Sequence, residues 1–129
     1  MFVQIDPRSH VPIWEQIVIQ IKELILRGGL VAGDKVPSVR ELAGILIVNP
    51  NTVSKAYKEL ENQGIIETLR GRGTFVKENF NRESVDMEKA MLLKEKTKKL
   101  VIEGTYVGIE PATFKDWIDD IEAELGREL

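Results

Sequence analysis

The chain has 129 residues, of which 43% are hydrophobic, and a formal net charge of −3, values that suit one domain or a small head with a short appendage. It contains no cysteine and one histidine, which excludes disulfide frameworks and thiol nucleophiles and disfavours metal sites and acid–base chemistry. The N-terminus has no signal sequence and no apolar run is long enough for a bilayer, so we expect a cytoplasmic protein without membrane contact, metal, cofactor or enzymatic activity.

The first predicted element is an amphipathic helix in residues 12–27. Its isoleucines and leucines recur at intervals of three and four residues, and Gly28 and Gly29 end the pattern. A turn and a short extended piece follow in residues 33–37, because Pro37 biases the residue before it toward β geometry.

Two further helices have clear starting signals. Ser38 is a favourable N-cap, and Glu41 three residues later completes a capping box. Asn49 is again a favoured N-cap, and Pro50 suits the first helical position, where no amide donor is needed. An apolar stripe follows in this third helix, and Gly64 ends it.

A hairpin is predicted next. The β-prone runs 65–69 and 74–76 flank an Arg-Gly-Arg-Gly loop at 70–73. The loop is a poor candidate for phosphate binding, because a nucleotide-binding loop follows a strand and opens a helix, whereas this loop joins two strands.

The rest of the chain predicts a polar linker at 78–84 and two helices. The first helix runs from Ser84 to about Glu103 and is interrupted by a lysine-rich stretch. Gly104 and Gly108 then bracket a turn, and the last helix begins near Pro111. An excess of apolar residues in these helices predicts that they pair with a second copy. The predicted dimerisation residues are Met87, Met91, Leu92, Phe114, Trp117, Ile118, Ile121 and Leu125.

This order of elements predicts a mainly α protein with a small β wing. We expect a winged helix-turn-helix DNA-binding domain in residues 1–77, the linker at 78–84, and a C-terminal two-helix dimerisation and effector region in 85–129. Residues 1–77 carry ten lysines and arginines against eight acidic residues, whereas 78–129 carry eight against thirteen. A nucleic-acid module joined to an acidic region would show this asymmetry, although ordinary surface scatter also explains so small a difference.

Two short helices joined by a tight turn at 47–50 can project the second helix into a DNA major groove. Groove entry requires polar side chains at the start of that helix, where asparagine, threonine and serine hydrogen-bond to base edges. Basic residues of the turn, the helices and the hairpin tip would contact phosphates around it. The DNA-binding residues predicted on these grounds are Lys35, Ser38, Arg40, Asn49, Asn51, Thr52, Ser54, Lys55, Lys58, Arg70 and Arg72.

Other interpretations stay open at this point. An Asn-Pro helix start is often plain capping, and an Arg-Gly-Arg-Gly loop is often a turn with solvated charges. Winged helices also serve as protein-docking domains, so a protein-interaction module is the main alternative to a DNA-binding protein. An enzyme is a distant third, since no nucleophile, base and orienting group can be assembled from the sequence.

Several ordered blocks between residues 12 and 76 carry a family resemblance. They read PIWEQI, GDKVPSVRELA, VNPNTVSKAYKELE, GIIE and GRGTFV. Together they closely resemble the winged-helix domain of GntR-family bacterial repressors. The Asn-Pro-Asn-Thr-Val form and the short tail resemble the YtrA-type subfamily, whose members have a two-helix C-terminal region and often accompany transporter operons.

The resemblance implies a repressor that binds double-stranded DNA at a palindromic operator as a homodimer, and one that could control a transporter operon. It implies that Arg40 contacts DNA and that Arg72 with Gly73 forms the wing tip. Many relatives carry arginines where this chain has Pro50 and Ser54, so their base preference does not transfer. A small-molecule effector is left open, and the sequence identifies none.

Overall fold

The computed structural model describes residues 3–77 and 85–126, so the predicted linker at 78–84 lies outside the described residues. The chain divides into two compact units, residues 1–80 and 81–129, called here the head and the tail. The head contains helices α1 (Ile13–Leu26), α2 (Val39–Leu46) and α3 (Pro50–Asn62) and strands β1 (Lys35–Val36), β2 (Ile66–Leu69) and β3 (Gly73–Val76). The tail contains helices α4 (Met87–Tyr106) and α5 (Pro111–Leu125). The predicted fold is confirmed, and no described helix is long and apolar enough to cross a membrane.

The core of the head lies where α1 and α3 pack together. Ile17 and Ile21 of α1 are fully buried, as are Val53 and Leu60 of α3. Leu42 of α2 joins the same core. The apolar stripes predicted for these helices therefore form one continuous hydrophobic core, which fixes the direction in which the opposite, polar face of α3 points.

The sheet has three antiparallel strands in the order β1-β3-β2. The predicted hairpin is present, with Thr68 of β2 opposite Thr74 of β3. The short extended piece before α2 is also a strand, and it pairs with β3 so that Lys35 lies opposite Phe75. This pairing brings the segment that precedes α2 directly beside the wing.

The first tail helix differs from its predicted bounds. It begins after the cap residue Asp86 rather than at Ser84, and it continues past the expected end at Glu103. Gly104 lies within the helix, and the ring of Phe114 lies against it, where a Cβ atom would collide with the ring. The glycine therefore allows a close approach between helices and does not stop the first of them.

Candidate nucleic-acid interface

The start of α2 is held by the predicted capping box. The hydroxyl of Ser38 accepts a hydrogen bond from the amide of Glu41 at 3.1 Å, and the Glu41 carboxylate accepts one from the amide of Ser38 at 3.4 Å. Arg40 follows in the first helical turn and is exposed. The box therefore fixes the backbone from which Arg40 projects into solvent.

The turn between α2 and α3 contains an unusual backbone conformation. Ile47 has φ 56° and ψ 53°, in the left-handed region that β-branched residues rarely adopt. Its conformation lets the amide of Val48 donate to the carbonyl of Ala43 at 3.1 Å and close the helix end. The Ile47 side chain is 90% exposed, so its burial does not compensate for the backbone strain.

Asn49 begins α3, as predicted. Its side-chain oxygen accepts a hydrogen bond from the amide of Asn51 at 2.8 Å, and Pro50 occupies the first helical position. Because the oxygen is used in capping, Asn49 offers its amide NH₂ group to a ligand rather than a paired donor and acceptor. Asn51 is exposed one step further into the helix.

The two faces of α3 differ sharply in polarity. The inward face is buried and packs into the core of the head. The residues predicted to reach DNA lie on the other face, where all are exposed except Thr52, which is half-buried. The exposed residues are Asn51, Ser54, Lys55 and Lys58. The helix thus presents short polar side chains at its start and lysines further along, a suitable arrangement for bases and phosphates respectively.

Tyr57 links α3 to the start of α2. Its hydroxyl donates a hydrogen bond to the carbonyl of Pro37 at 2.6 Å. Burial, with a smaller contribution from the charge of Glu41, raises the pKa of Tyr57 well above its ordinary value. The phenol therefore stays protonated and donates this bond at physiological pH, which fixes α3 relative to the segment that leads into α2.

A cation–π contact connects α3 to α1. The ammonium nitrogen of Lys55 lies 4.6 Å from the centroid of the Trp14 ring. Trp14 itself is half-buried and packs against the core. The sequence predicts Lys55 as a DNA-binding residue of α3, and it gives no signal that this lysine meets Trp14.

The wing places two arginines at its tip. Arg70 and Arg72 are exposed in the turn between β2 and β3. At the base of the turn Gly73 has φ 121°, and a Cβ atom there would lie 2.8 Å from the Cε atom of Lys35. The structure therefore brings Lys35 and Gly73 together. The wing is also tied to the end of α3, because the hydroxyl of Thr68 donates to the Glu61 carboxylate at 2.8 Å.

An open concave surface lies along α2 and the turn that leads to α3. It brings two of the predicted DNA-binding residues, Arg40 and Asn49, to one groove. Its lining also includes the exposed Ile47, an apolar element that the sequence did not predict. The lining residues are Arg40, Ala43, Gly44, Ile47, Val48, Asn49 and Pro50.

The described residues contain no group of three or more histidines, cysteines or acidic residues that could hold a metal ion.

Among the predicted dimerisation residues, Phe114 and Leu125 are half-buried and the others are exposed. Phe114 meets Trp117 edge to face, with ring centroids 5.3 Å apart. The tail thus presents apolar side chains, and the head presents polar and basic ones.

Comparison with known proteins gives a consistent result. The bacterial regulatory proteins of the gntR family match residues 13–76. The HTH-type transcriptional repressor YtrA of Bacillus subtilis (strain 168) is 56% identical over 123 residues, which cover 95% of this chain and 94% of that protein.

Solved structures show the same relationship. The transcriptional antiterminator from Listeria monocytogenes EGD-e is 38% identical, with a TM-score of 0.88 over 99% of this chain and 94% of that one. The DNA-binding domain of AraR in complex with operator ORX1 is 31% identical, with a TM-score of 0.51 over 59% of this chain and 92% of that one.

Proposed function

This chain belongs to the GntR family of bacterial regulatory proteins and is a DNA-binding transcriptional regulator, and we propose that it represses genes as a homodimer bound to a palindromic operator. Its relatives are transcriptional regulators and not enzymes. Because bacterial DNA lies in the cytoplasm, we propose that the protein is cytoplasmic. We extend the proposal to the controlled genes, since the resemblance implies a transporter operon, and mapping the genomic sites that the protein occupies tests this extension.

The polar outer face of α3 carries the proposal. Asn51 and Ser54 lie at the start of this helix, exposed, while the opposite face is buried. Arg40 and Arg72 are exposed on the two elements that flank it in the fold, α2 and the wing. We propose that α3 enters the major groove and reads bases, and that the two arginines contact the DNA beside it.

The tail supplies the argument for a homodimer. Within the described parts of α4 and α5, Gly104 is the only buried residue. Large apolar side chains stay accessible along both helices, including Met91 at 51% and Trp117 at 44% exposure. Two helices that cover so little of their own apolar surface need a partner, and a second copy supplies one with two-fold symmetry. The two recognition helices would then lie roughly 34–36 Å apart, one turn of DNA.

Operator binding tests the proposal directly. The experiment measures the affinity of the protein for the DNA upstream of its own gene and for scrambled DNA across a salt series. We expect a sequence preference and a steep salt dependence, because phosphate contacts release counterions. Equal affinity for both DNAs would contradict a sequence-specific regulator, and a monomer at micromolar concentration by sedimentation would contradict the homodimer.

Substitution of the arginines tests the residue assignments. R40A and R72A should each weaken operator binding about tenfold without lowering thermal stability, because both side chains are exposed. R27A removes the same charge at the end of α1, where Arg27 pairs with Glu23 at 3.8 Å, and serves as the control. Unchanged affinity in both R40A and R72A would remove these two residues from the interface.

A further inference from the structure

The α4 helix carries a regular row of residues along one face. Met87, Met91, Lys94, Lys98 and Val101 follow at alternating intervals of four and three residues, which places them on one side of the helix. All five are exposed. This spacing is typical of a seam that pairs with another helix, but two lysines occupy its centre. We call this row the lysine seam.

The lysines argue against a dimer in which the lysine seam of α4 pairs with the same seam of a second copy. Lys94 and Lys98 lie on either side of the midpoint of α4. In an antiparallel pair about that midpoint, Lys94 would face the partner's Lys98, and in a parallel pair each lysine would face its own copy. Either arrangement brings like charges together in a partly desolvated seam, which is unfavourable.

The lysine seam is not covered by α5 of the same chain. The contact within the chain is made by Phe114 of α5, whose ring packs on Gly104 of α4. Gly104 does not belong to the seam, because the four-three spacing continues from Val101 to Thr105. Gly104 lies one turn after Val101, so this contact reaches only the C-terminal end of the seam, and the exposed remainder of the seam stays available to another molecule.

The α5 helix has the complementary charge. It carries five acidic residues and one lysine, whereas α4 carries five lysines and three glutamates. Asp120 and Glu124 are both exposed and lie one turn apart, and Glu124 is one turn from Ile121 of the apolar stripe of α5. We call these two residues the acidic flank. The stripe consists of Phe114, Ile118, Ile121 and Leu125.

We propose that α4 of one protomer packs along α5 of its partner, with the lysine seam on the apolar stripe. Lys94 and Lys98 then lie beside Asp120 and Glu124 of the partner subunit, and the methionines and Val101 cover the stripe on either side. Two-fold symmetry repeats this contact, so both seams are neutralised and both stripes are buried. The inference rests on the homodimer proposed above and specifies which helices meet. Charges beside an apolar seam select the partner helix in this way in coiled coils.

Charge reversal in the full-length chain tests the pairing. K94E/K98E places acidic residues against the acidic flank, and D120K/E124K places lysines against the lysine seam. Each variant alone should weaken the dimer at least about tenfold in sedimentation at ~0.1 M salt, because both copies of the contact become repulsive. An equal mixture of the two variants should form a heterodimer about as stable as the native dimer, since every seam then meets a flank of opposite charge.

The controls make the same charge changes away from the proposed contact. K96E/K99E and D116K/D119K alter residues of α4 and α5 that lie outside the seam and the flank, and each should change the dissociation constant less than about threefold. A wild-type affinity for K94E/K98E, or a mixture that stays monomeric while circular dichroism shows both variants helical, would overturn the pairing. A monomeric native chain would instead overturn the homodimer itself, so the two failures are distinguishable.

Discussion

The contact between Trp14 and Lys55 gives a prediction that links the core of the head to its DNA-binding face. Lys55 lies on the exposed side of α3 with its ammonium 4.6 Å from the Trp14 ring centroid. The ring restricts a flexible side chain while the remaining N–H donors of the ammonium stay accessible to a phosphate. We predict that Trp14 increases DNA affinity through Lys55, because a lysine already restrained loses less conformational entropy on binding.

The magnitude follows from the geometry. A cation–π contact at an exposed site contributes about 0.5–1 kcal/mol, which corresponds to a factor of about two to five in affinity. W14L removes the aromatic face and keeps an apolar side chain against the core. We expect W14L to weaken operator binding by that factor when Lys55 is present and to have almost no effect in a K55M background.

A double-mutant cycle on operator affinity measures this coupling. The four proteins are the native chain, W14L, K55M and the double variant, and W14F serves as a control that keeps an aromatic face. K55M should also reduce the slope of log affinity against log salt by about 0.9, as expected for one lost phosphate contact. If W14L weakens binding equally with and without Lys55, Trp14 acts only through packing and the coupling is refuted.

Three further predictions concern stability. I47G relieves a left-handed backbone that costs roughly 1–2 kcal/mol, and the added conformational entropy of the unfolded chain offsets part of this gain. The free energy of unfolding measured in urea should therefore rise by about 0.5–1 kcal/mol in I47G and by less in I47A. An I47G variant that is less stable than the native chain would contradict the strain. Y57F should lose about 1 kcal/mol at neutral pH. Since the pKa of Tyr57 is raised in the folded state, the native protein loses stability as the pH rises above the ordinary pKa near 10. The difference in free energy of unfolding between the native chain and Y57F should therefore narrow above that pH. A difference that stays constant with pH would argue against the buried phenol. G104A should destabilise the tail by about 1–3 kcal/mol, because the added Cβ atom collides with the ring of Phe114. Thermal melts followed by circular dichroism measure this loss. An unchanged melting midpoint would show that the two helices move apart at no cost.

Local signals made much of the head predictable. The capping box at Ser38 and Glu41 and the cap at Asn49 depend on residues within three positions of one another, so the sequence alone identifies both helix starts. The hairpin is equally local, because its strands are joined by a short turn. These elements place the turn and the polar face of α3 without information from distant parts of the chain.

Non-local packing accounts for what the sequence did not reveal. The pairing of β1 with β3 and the contact of Lys55 with Trp14 join residues about forty positions apart, and no periodicity encodes such proximity. The sequence predicts a turn bracketed by Gly104 and Gly108, because glycine often ends helices, whereas Gly104 lies within α4 against a ring ten residues later in the chain. The sequence predicts the candidate site only in part. It does not show that Ile47 is exposed or that the side-chain oxygen of Asn49 caps α3, because both features depend on the folded turn.

The balance of charge links the tail to the function of the head. Residues 1–77, which make up nearly all of the head, have an excess of only two positive charges, with ten basic and eight acidic residues, so one head alone should bind DNA weakly. Joining two heads makes the second contact intramolecular and raises the overall affinity without any new DNA contact. We therefore predict that K94E/K98E, although far from the DNA-binding residues in sequence, raises the protein concentration needed for operator binding at least about tenfold.

The control K96E/K99E carries the same change in charge and should bind the operator like the native chain. General repulsion between the tail and DNA would weaken both variants equally, whereas loss of the dimer weakens only the first. Anisotropy titrations with a full operator and with a half-site separate the remaining possibilities, because the half-site engages one head and should bind the native chain and K94E/K98E with the same affinity. A K94E/K98E chain that is monomeric and still binds the full operator with native affinity would show that a single head suffices for operator binding. Dimerisation through the tail would then not explain the affinity of the native chain.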